Sequence, residues 1–519
     1  TMALSILAGC GTSEDTNSVG TSENSNSELV FVNYRDIRDL NPHLYAGEMY
    51  AQSMLYDTLV SITDDGYEGC LAESWEISED GKIYTFKIRE GVTFSDGAVC
   101  DANAILANFN AIIANKERHT WLEMMNLLVG VSAPDDYTFV IELSEAYYPM
   151  LTELGCIRPF AMISPNCMID GQTKDGVNGY IGTGPYVLTD FVTDEYAVFE
   201  RNENYWGELP AIEKITVKVI PDNQTRIMAL ESGEIDLIFG KNMLDADAIS
   251  QYTDSDKFTV SLSDPTSTRH IVLNTTNDIL SDVTVRQALQ HATDRNAISE
   301  GIFYGLEQPA DTLYSKTVPY CDVDLEPYEY SADTASEMLE KAGWIMGKDG
   351  IRYKYGQKLE LELLYNSDSV TEKTISEYLQ SEYAKLGISI NIHGEEEQSY
   401  RDSMKAGNFD MVFNICWGMP YDPQSSLAAM RAPVYGDYAA QLGLEDKAEI
   451  DKAITDILTS TDETERQELY TFVLTRLHED AVYIPLTYEC NKALYTSDLQ
   501  GVHFGTDQYD VPFADMYFE

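Results

Sequence analysis

Apolar positions recur along this chain with two different periods, and the alternation between them organises the whole sequence. Leu29-Val-Phe-Val-Asn33 is a short strand-like run that opens the ordered protein. Trp75 to Arg89 alternates apolar and polar residues around Asp80-Gly81, which predicts a hairpin. Asp101 then caps a predicted helix, 101–115, with apolar residues at 105, 106, 109, 112 and 113 on one face. Strands are predicted at 137–143, 212–220, 359–364 and 388–393. Helices are predicted at 223–232, 285–301, 332–342, 372–386, 449–459 and 463–478. Strands carrying hydrophobic runs alternate with helices, so an α/β architecture is expected. No internal repeat is present.

The N-terminus breaks this pattern. Met2-Ala-Leu-Ser-Ile-Leu-Ala-Gly-Cys10 is short and apolar without a basic flank, and it reads as the end of a signal peptide. Its last four residues, Leu7-Ala-Gly-Cys10, resemble the lipobox of bacterial lipoproteins, in which the cysteine receives the lipid. Residues 11–28 are almost wholly Ser, Thr, Asn, Glu and Gly, a composition that cannot pack and predicts a flexible tether. No later segment is long and apolar enough to span a bilayer. An extracytoplasmic, lipid-anchored protein is therefore expected, on a Gram-positive cell surface.

Length and charge narrow the classes. A chain of 519 residues exceeds one core, so two or more lobes are expected. The 34 Lys and Arg face 87 Asp and Glu, a net charge of −53, which repels phosphate backbones and excludes a nucleic-acid partner. The eight cysteines show no C-x-x-C pair; buried free thiols are the expectation, with one or two bridges left open. The seven histidines show no H-x-x-H or H-x-x-x-H spacing. There is no G-x-S-x-G elbow, no H-E-x-x-H and no P-loop, so the chain is not expected to be an enzyme or to hold a cofactor.

Several phrases in order resemble the peptide- and nickel-type solute-binding proteins of ABC importers, family 5. They are Leu71-Ala-Glu-Ser-Trp-Glu76, Phe94-Ser-Asp-Gly97, Gly182-Thr-Gly-Pro-Tyr186, Arg201-Asn-Glu-Asn-Tyr-Trp-Gly207, Gly233-Glu-Ile-Asp-Leu237, Val285-Arg-Gln-Ala-Leu289 and Ala342-Gly-Trp344. Further phrases resemble the nickel-binding members: Asn41-Pro-His-Leu-Tyr45, Met49-Tyr-Ala-Gln-Ser-Met54, Arg118-His-Thr-Trp121, Arg158-Pro-Phe160, Trp417-Gly-Met-Pro-Tyr-Asp-Pro423 and Thr475 to Tyr483. The resemblance implies a two-lobed periplasmic-binding-protein-like fold (type II, large cluster C type) with a ligand cleft between the lobes. One lobe would take 29–265 and 488–519, with an inserted subdomain at about 59–189, and the other 266–487.

The resemblance places Tyr45, Met49, Arg118, Trp121 and Arg158 in the pocket from the first lobe, and Trp417 and Tyr421 from the second. That set suits a metal held by small carboxylates: guanidinium forks for the oxygens, aromatic and thioether walls for the rest. Nickel or another transition metal then enters only as part of the transported ligand. The relatives carry a metal-coordinating histidine in the following loop, where this chain has Tyr435, which speaks against a direct protein–metal bond. The expected partners are a metal chelate or metallophore complex, ABC permease subunits and the membrane, and the protein is expected to act as a monomer. A di- or oligopeptide is the alternative ligand, its amine anchored on Asp422. A chemosensory receptor would use the same lobes with another membrane partner.

Overall fold

The computed structural model describes residues 27–63, 66–241, 243–416 and 423–519. The lipobox cysteine, the tether up to residue 26, and Trp417, Tyr421 and Asp422 lie outside the described residues.

One mixed sheet runs through the molecule. Its strands lie in the order Tyr186–Val192, Tyr196–Arg201, Lys214–Val219, Glu28–Asn33, Leu237–Phe239, Tyr483–Thr496, Phe258–Leu273, Met411–Cys416, Glu360–Asn366 and Ser389–Glu395, with Gln308–Pro309 added beside Tyr483–Thr496. The register of each central strand sends alternate side chains to opposite faces. Val272, Leu364 and Val412 enter one core, while Ile271, Leu273, Leu363, Met411 and Phe413 enter another. Both faces are therefore covered, in the manner of an α/β sheet. A second, four-stranded antiparallel sheet is built from Ala72–Ile77, Ile83–Ile88, Thr138–Leu143 and Leu128–Asp135. It packs on helix Ala102–Ile113 through Phe86, Phe109, Phe139 and Ile141.

The predicted elements recur within a few residues. The hairpin turns at Asp80-Gly81, where Gly81 has φ +69, and Asp101 caps its helix by accepting from the Asn103 and Ala104 N–H groups. The helix predicted across 285–301 is instead two, Val283–Ala292 and Arg295–Ile302. Thr293 turns extended, and the Asp294 side chain accepts from the Ala297 N–H, so a cap interrupts what periodicity alone reads as continuous. The described cysteines, Cys70, Cys100, Cys156, Cys167, Cys321, Cys416 and Cys490, are all buried.

Two strands are far longer than the rest, Phe258–Leu273 with 16 residues and Tyr483–Thr496 with 14. They pair antiparallel along their length, with register shifts between Leu262 and Ser267 and again at Arg269/His270. At one end the Tyr483–Thr496 strand pairs with Leu237–Phe239, and at the other the Phe258–Leu273 strand pairs with Met411–Cys416. A string of charges lies along the bulged stretch. Lys241 Nζ sits 3.1 Å from Glu489 Oε2, Arg269 pairs with Glu489 and lies 3.8 Å from Glu307, and Lys492 lies 3.6 Å from Glu307. Burial alone would raise the Glu489 carboxyl, but the Arg269 and Lys241 cations hold it well below the usual carboxylate range.

Candidate functional site

Tyr45 is the centre of the constellation that the sequence singles out. It follows the buried loop residues Asn41 and His43 and precedes Gly47, whose packing against the Asp39 backbone leaves no room for a side chain. The short helical turn Lys116–His119 brings Arg118 and His119 to it, and Trp121 follows directly. Trp121 Nε1 donates to the Tyr45 hydroxyl at 2.8 Å, and the same hydroxyl lies 2.7 Å from His119 Nδ1. An indole N–H can only donate, so the Tyr45 oxygen accepts from Trp121, which leaves the phenol proton free to be donated to His119 Nδ1. The His119 Nε2 is buried with no hydrogen-bond partner among the described residues. Burial, assisted by the Arg118 charge, lowers the His119 pKa to about 4, so it is a neutral imidazole at physiological pH. Burial likewise pushes Tyr45 up to about 12, against the opposing Trp121 hydrogen bond and the two arginines, so its phenol stays protonated.

The two arginines flank this aromatic group. The guanidinium carbons of Arg118 and Arg158 each lie 5.9 Å from the Tyr45 ring centroid. Arg118 is exposed, and Trp121 is exposed to 49%. Arg158, next to a cis bond to Pro159, is half-buried and donates through one terminal nitrogen to the Gly47 carbonyl at 3.1 Å. Its Nε is buried without a hydrogen-bond partner among the described residues. Burial lowers its pKa, while Glu48 and Asp507 pull the other way without closing to an ion pair among the described residues. The site therefore holds a partly desolvated cation with N–H groups to spare, against an aromatic wall. Such a group binds an oxyanion well and a bare cation badly.

Tyr435, the extended N-cap residue between helices Pro423–Ala429 and Gly436–Gln441, is half-buried. Its phenol is raised by burial, with Arg401 lowering and Asp437 raising it. It is close enough to influence Tyr509, and Tyr509 in turn feels Asp507 and Arg158. The C-terminal segment 507–510 thus links Tyr435 to the arginine. Tyr435 also lines a space of about 10 Å³ with His270, Asn414, Cys416 and Asp437, room for at most one water. Met49 opens helix Met49–Leu55, and its side chain is buried in the core.

Sequence reasoning did not single out three of these groups. His119 lies inside the quoted phrase Arg118-His-Thr-Trp121, but only its pairing with Tyr45 shows its role. Tyr509 and Asp507 carry no motif. Tyr509 is 52% exposed, and the Asp507 pKa is raised to about 6 by burial, with Arg158 acting against the rise. Among the described residues no three His, Cys, Asp or Glu side chains are grouped to hold a metal ion.

Comparison with known proteins bears directly on this arrangement. Residues 66–437 match the family model described as bacterial extracellular solute-binding proteins, family 5 Middle. The chain is similar to the nickel-binding periplasmic protein of Escherichia coli K12, with 41% identity over 486 residues and 93% of each chain covered. It is similar also to the periplasmic oligopeptide-binding protein OppA of Salmonella typhimurium, with 27% identity over 521 residues, 93% of this chain and 90% of that one. Among solved structures, NikA from Brucella suis in complex with Fe(III)-EDTA matches with a TM-score of 0.92 and 43% identity, over 95% of this chain and 100% of that one.

Proposed function

Because the chain belongs to the bacterial extracellular solute-binding proteins of family 5, we propose that it captures a chelate of nickel or a related transition metal and delivers it to a membrane permease. It is the extracytoplasmic binding protein of an ABC importer, with an α/β periplasmic-binding-protein fold, and not an enzyme. The observation that carries the chelate reading is Arg158. A half-buried guanidinium whose Nε has no partner among the described residues, beside Tyr45 and Trp121, suits a compact complex that presents carboxylate oxygens. The E. coli relative named for nickel and the Brucella structure that holds Fe(III)-EDTA favour the same ligand class. Similarity to an oligopeptide-binding protein supports the alternative, a di- or oligopeptide. Mass spectrometry of the ligand released from purified protein, with elemental analysis, separates the two.

In this reading the two long paired strands are the crossover between lobes, with 29–265 and 488–519 on one side and 266–487 on the other. The pocket groups Arg158 and Tyr435 then face each other from opposite lobes, and ligand draws the lobes together. Small-angle scattering should show the radius of gyration fall on saturation with Fe(III)-EDTA. An unchanged radius with a chelate of demonstrated affinity would place binding on a single lobe.

Residence at the membrane follows from the lipobox. With Cys10 diacylated, two acyl chains hold the protein stably where a single chain would be marginal. Cys10→Ala should release folded protein into the medium, and undiminished membrane retention of that variant in fractionation would remove the anchor from the reading.

A further inference from the structure

A second contact bridges the same two parts of the chain, among residues that take no part in the site around Arg158. Tyr148 sits in the turn between strand Thr138–Leu143 and helix Met150–Leu154. Its backbone N–H donates to the Leu458 carbonyl at 3.0 Å, and its hydroxyl donates to Glu463 Oε1 at 2.8 Å. The Arg466 guanidinium lies over its ring, 3.4 Å from the centroid. Leu458, Glu463 and Arg466 belong to helices Lys447–Thr459 and Glu463–Glu479, far along the chain from Tyr148. The Leu458 side chain nevertheless completes the core of the four-stranded sheet that carries Tyr148.

The receiving surface is built. Tyr320 and Tyr470 stack with ring centroids 4.7 Å apart and planes within 6°. Arg466 lies 5.1 Å and 5.8 Å from their centroids, so with Tyr148 in place it faces three aromatic rings. It is fully buried and donates to Gln424 Oε1 at 3.3 Å and to the Ser460 and Ile457 carbonyls. Glu463 accepts Tyr148 on one carboxylate oxygen and Tyr320 on the other. Withdrawing Tyr148 would expose one face of a buried cation and free one carboxylate oxygen. The contact is therefore favourable only while the two parts are together, which is the property of a clasp.

We propose that Tyr148 and the Arg466–Glu463–Tyr320 receptacle form an interlobe latch that favours the closed form, so that Tyr148 sets ligand affinity without touching ligand. The latch rests on the two-lobed closing reading. A contact present only in the closed form multiplies the closed population, and apparent affinity scales with that population.

The test uses the whole chain. Tyr148→Ala should weaken Fe(III)-EDTA binding by about 10-fold, chiefly through faster dissociation, and Tyr148→Phe, which keeps the ring over Arg466, by about 3-fold. Without ligand, amide exchange in a peptide covering 454–462 should quicken in Tyr148→Ala, with exchange around Arg158 unchanged. Affinity within twofold of the parent, or parental exchange at 454–462, overturns the latch. Failure of the parent to bind Fe(III)-EDTA strikes the chelate reading instead, and the ligand-free exchange comparison still decides the latch.

Discussion

Arg158→Ala binds Fe(III)-EDTA roughly 30- to several-thousand-fold more weakly than the parent chain, as read by titration calorimetry. Removing one partner of a desolvated, hydrogen-bonded charge pair typically costs about 2–5 kcal/mol, which gives that range. The loss falls on binding rather than folding, because Arg158 makes a single described hydrogen bond within the protein, to the Gly47 carbonyl. Thermal unfolding of the variant should stay close to that of the parent. Arg158→Lys restores part of the affinity: an ammonium supplies charge but not the planar fork that meets a carboxylate edge-on. Binding of Arg158→Ala within about threefold of the parent would show that the anion docks elsewhere.

Nickel chloride alone gives no saturable heat of binding, whereas nickel premixed with L-histidine does. A bare dication requires imidazole or thiolate donors in a set geometry. The described pocket offers two arginines, which repel it, and phenols that stay protonated; burial raises both Tyr45 and Tyr435. His119 is turned to Tyr45 rather than to an ion. With the metal's coordination sphere filled by the chelator, the same groups become favourable: guanidinium for carboxylate, rings for the flat faces. Tyr435→His should add measurable affinity for uncomplexed nickel, since it supplies the missing imidazole, and Tyr435→Phe should weaken chelate binding only modestly. Tight one-to-one binding of nickel chloride that survives Arg158→Ala is the result that defeats this picture. Preference for di- or tripeptides over any metal complex would promote the peptide alternative.

The parts of the fold that were legible in the sequence are those in which local signals agree. Asp101 before an apolar stripe, or Asp80-Gly81 between alternating runs, leaves one local solution. The joined helix at 285–301 shows the limit of periodicity. Thr293 and Asp294 read as polar-face residues, yet that pair ends one helix and caps the next. The site divides in the same way. Tyr45, Arg118, Trp121 and Arg158 came from phrase matching, and the structure gathers all four. The Tyr45–His119 bond spans 74 residues, and nothing local to either residue announces it. Asp507 is one acid among 87, distinguished only by the fold that sets it near Arg158.

The charges strung along the two long strands restrict how this molecule can move. Separating Arg269 from Glu489 across the two strands would strand buried charges at a cost of about 3–5 kcal/mol. Parting the strands at this point is therefore costly. A twist of the ribbon about its own long axis would instead leave Arg269 and Glu489 paired across it. Side chains far from the axis would sweep a long arc. In the two-lobed reading the ribbon would then act as a torsion bar, in which small changes of backbone angle at the bulges near Pro265 and Arg269 become large displacements at its rim.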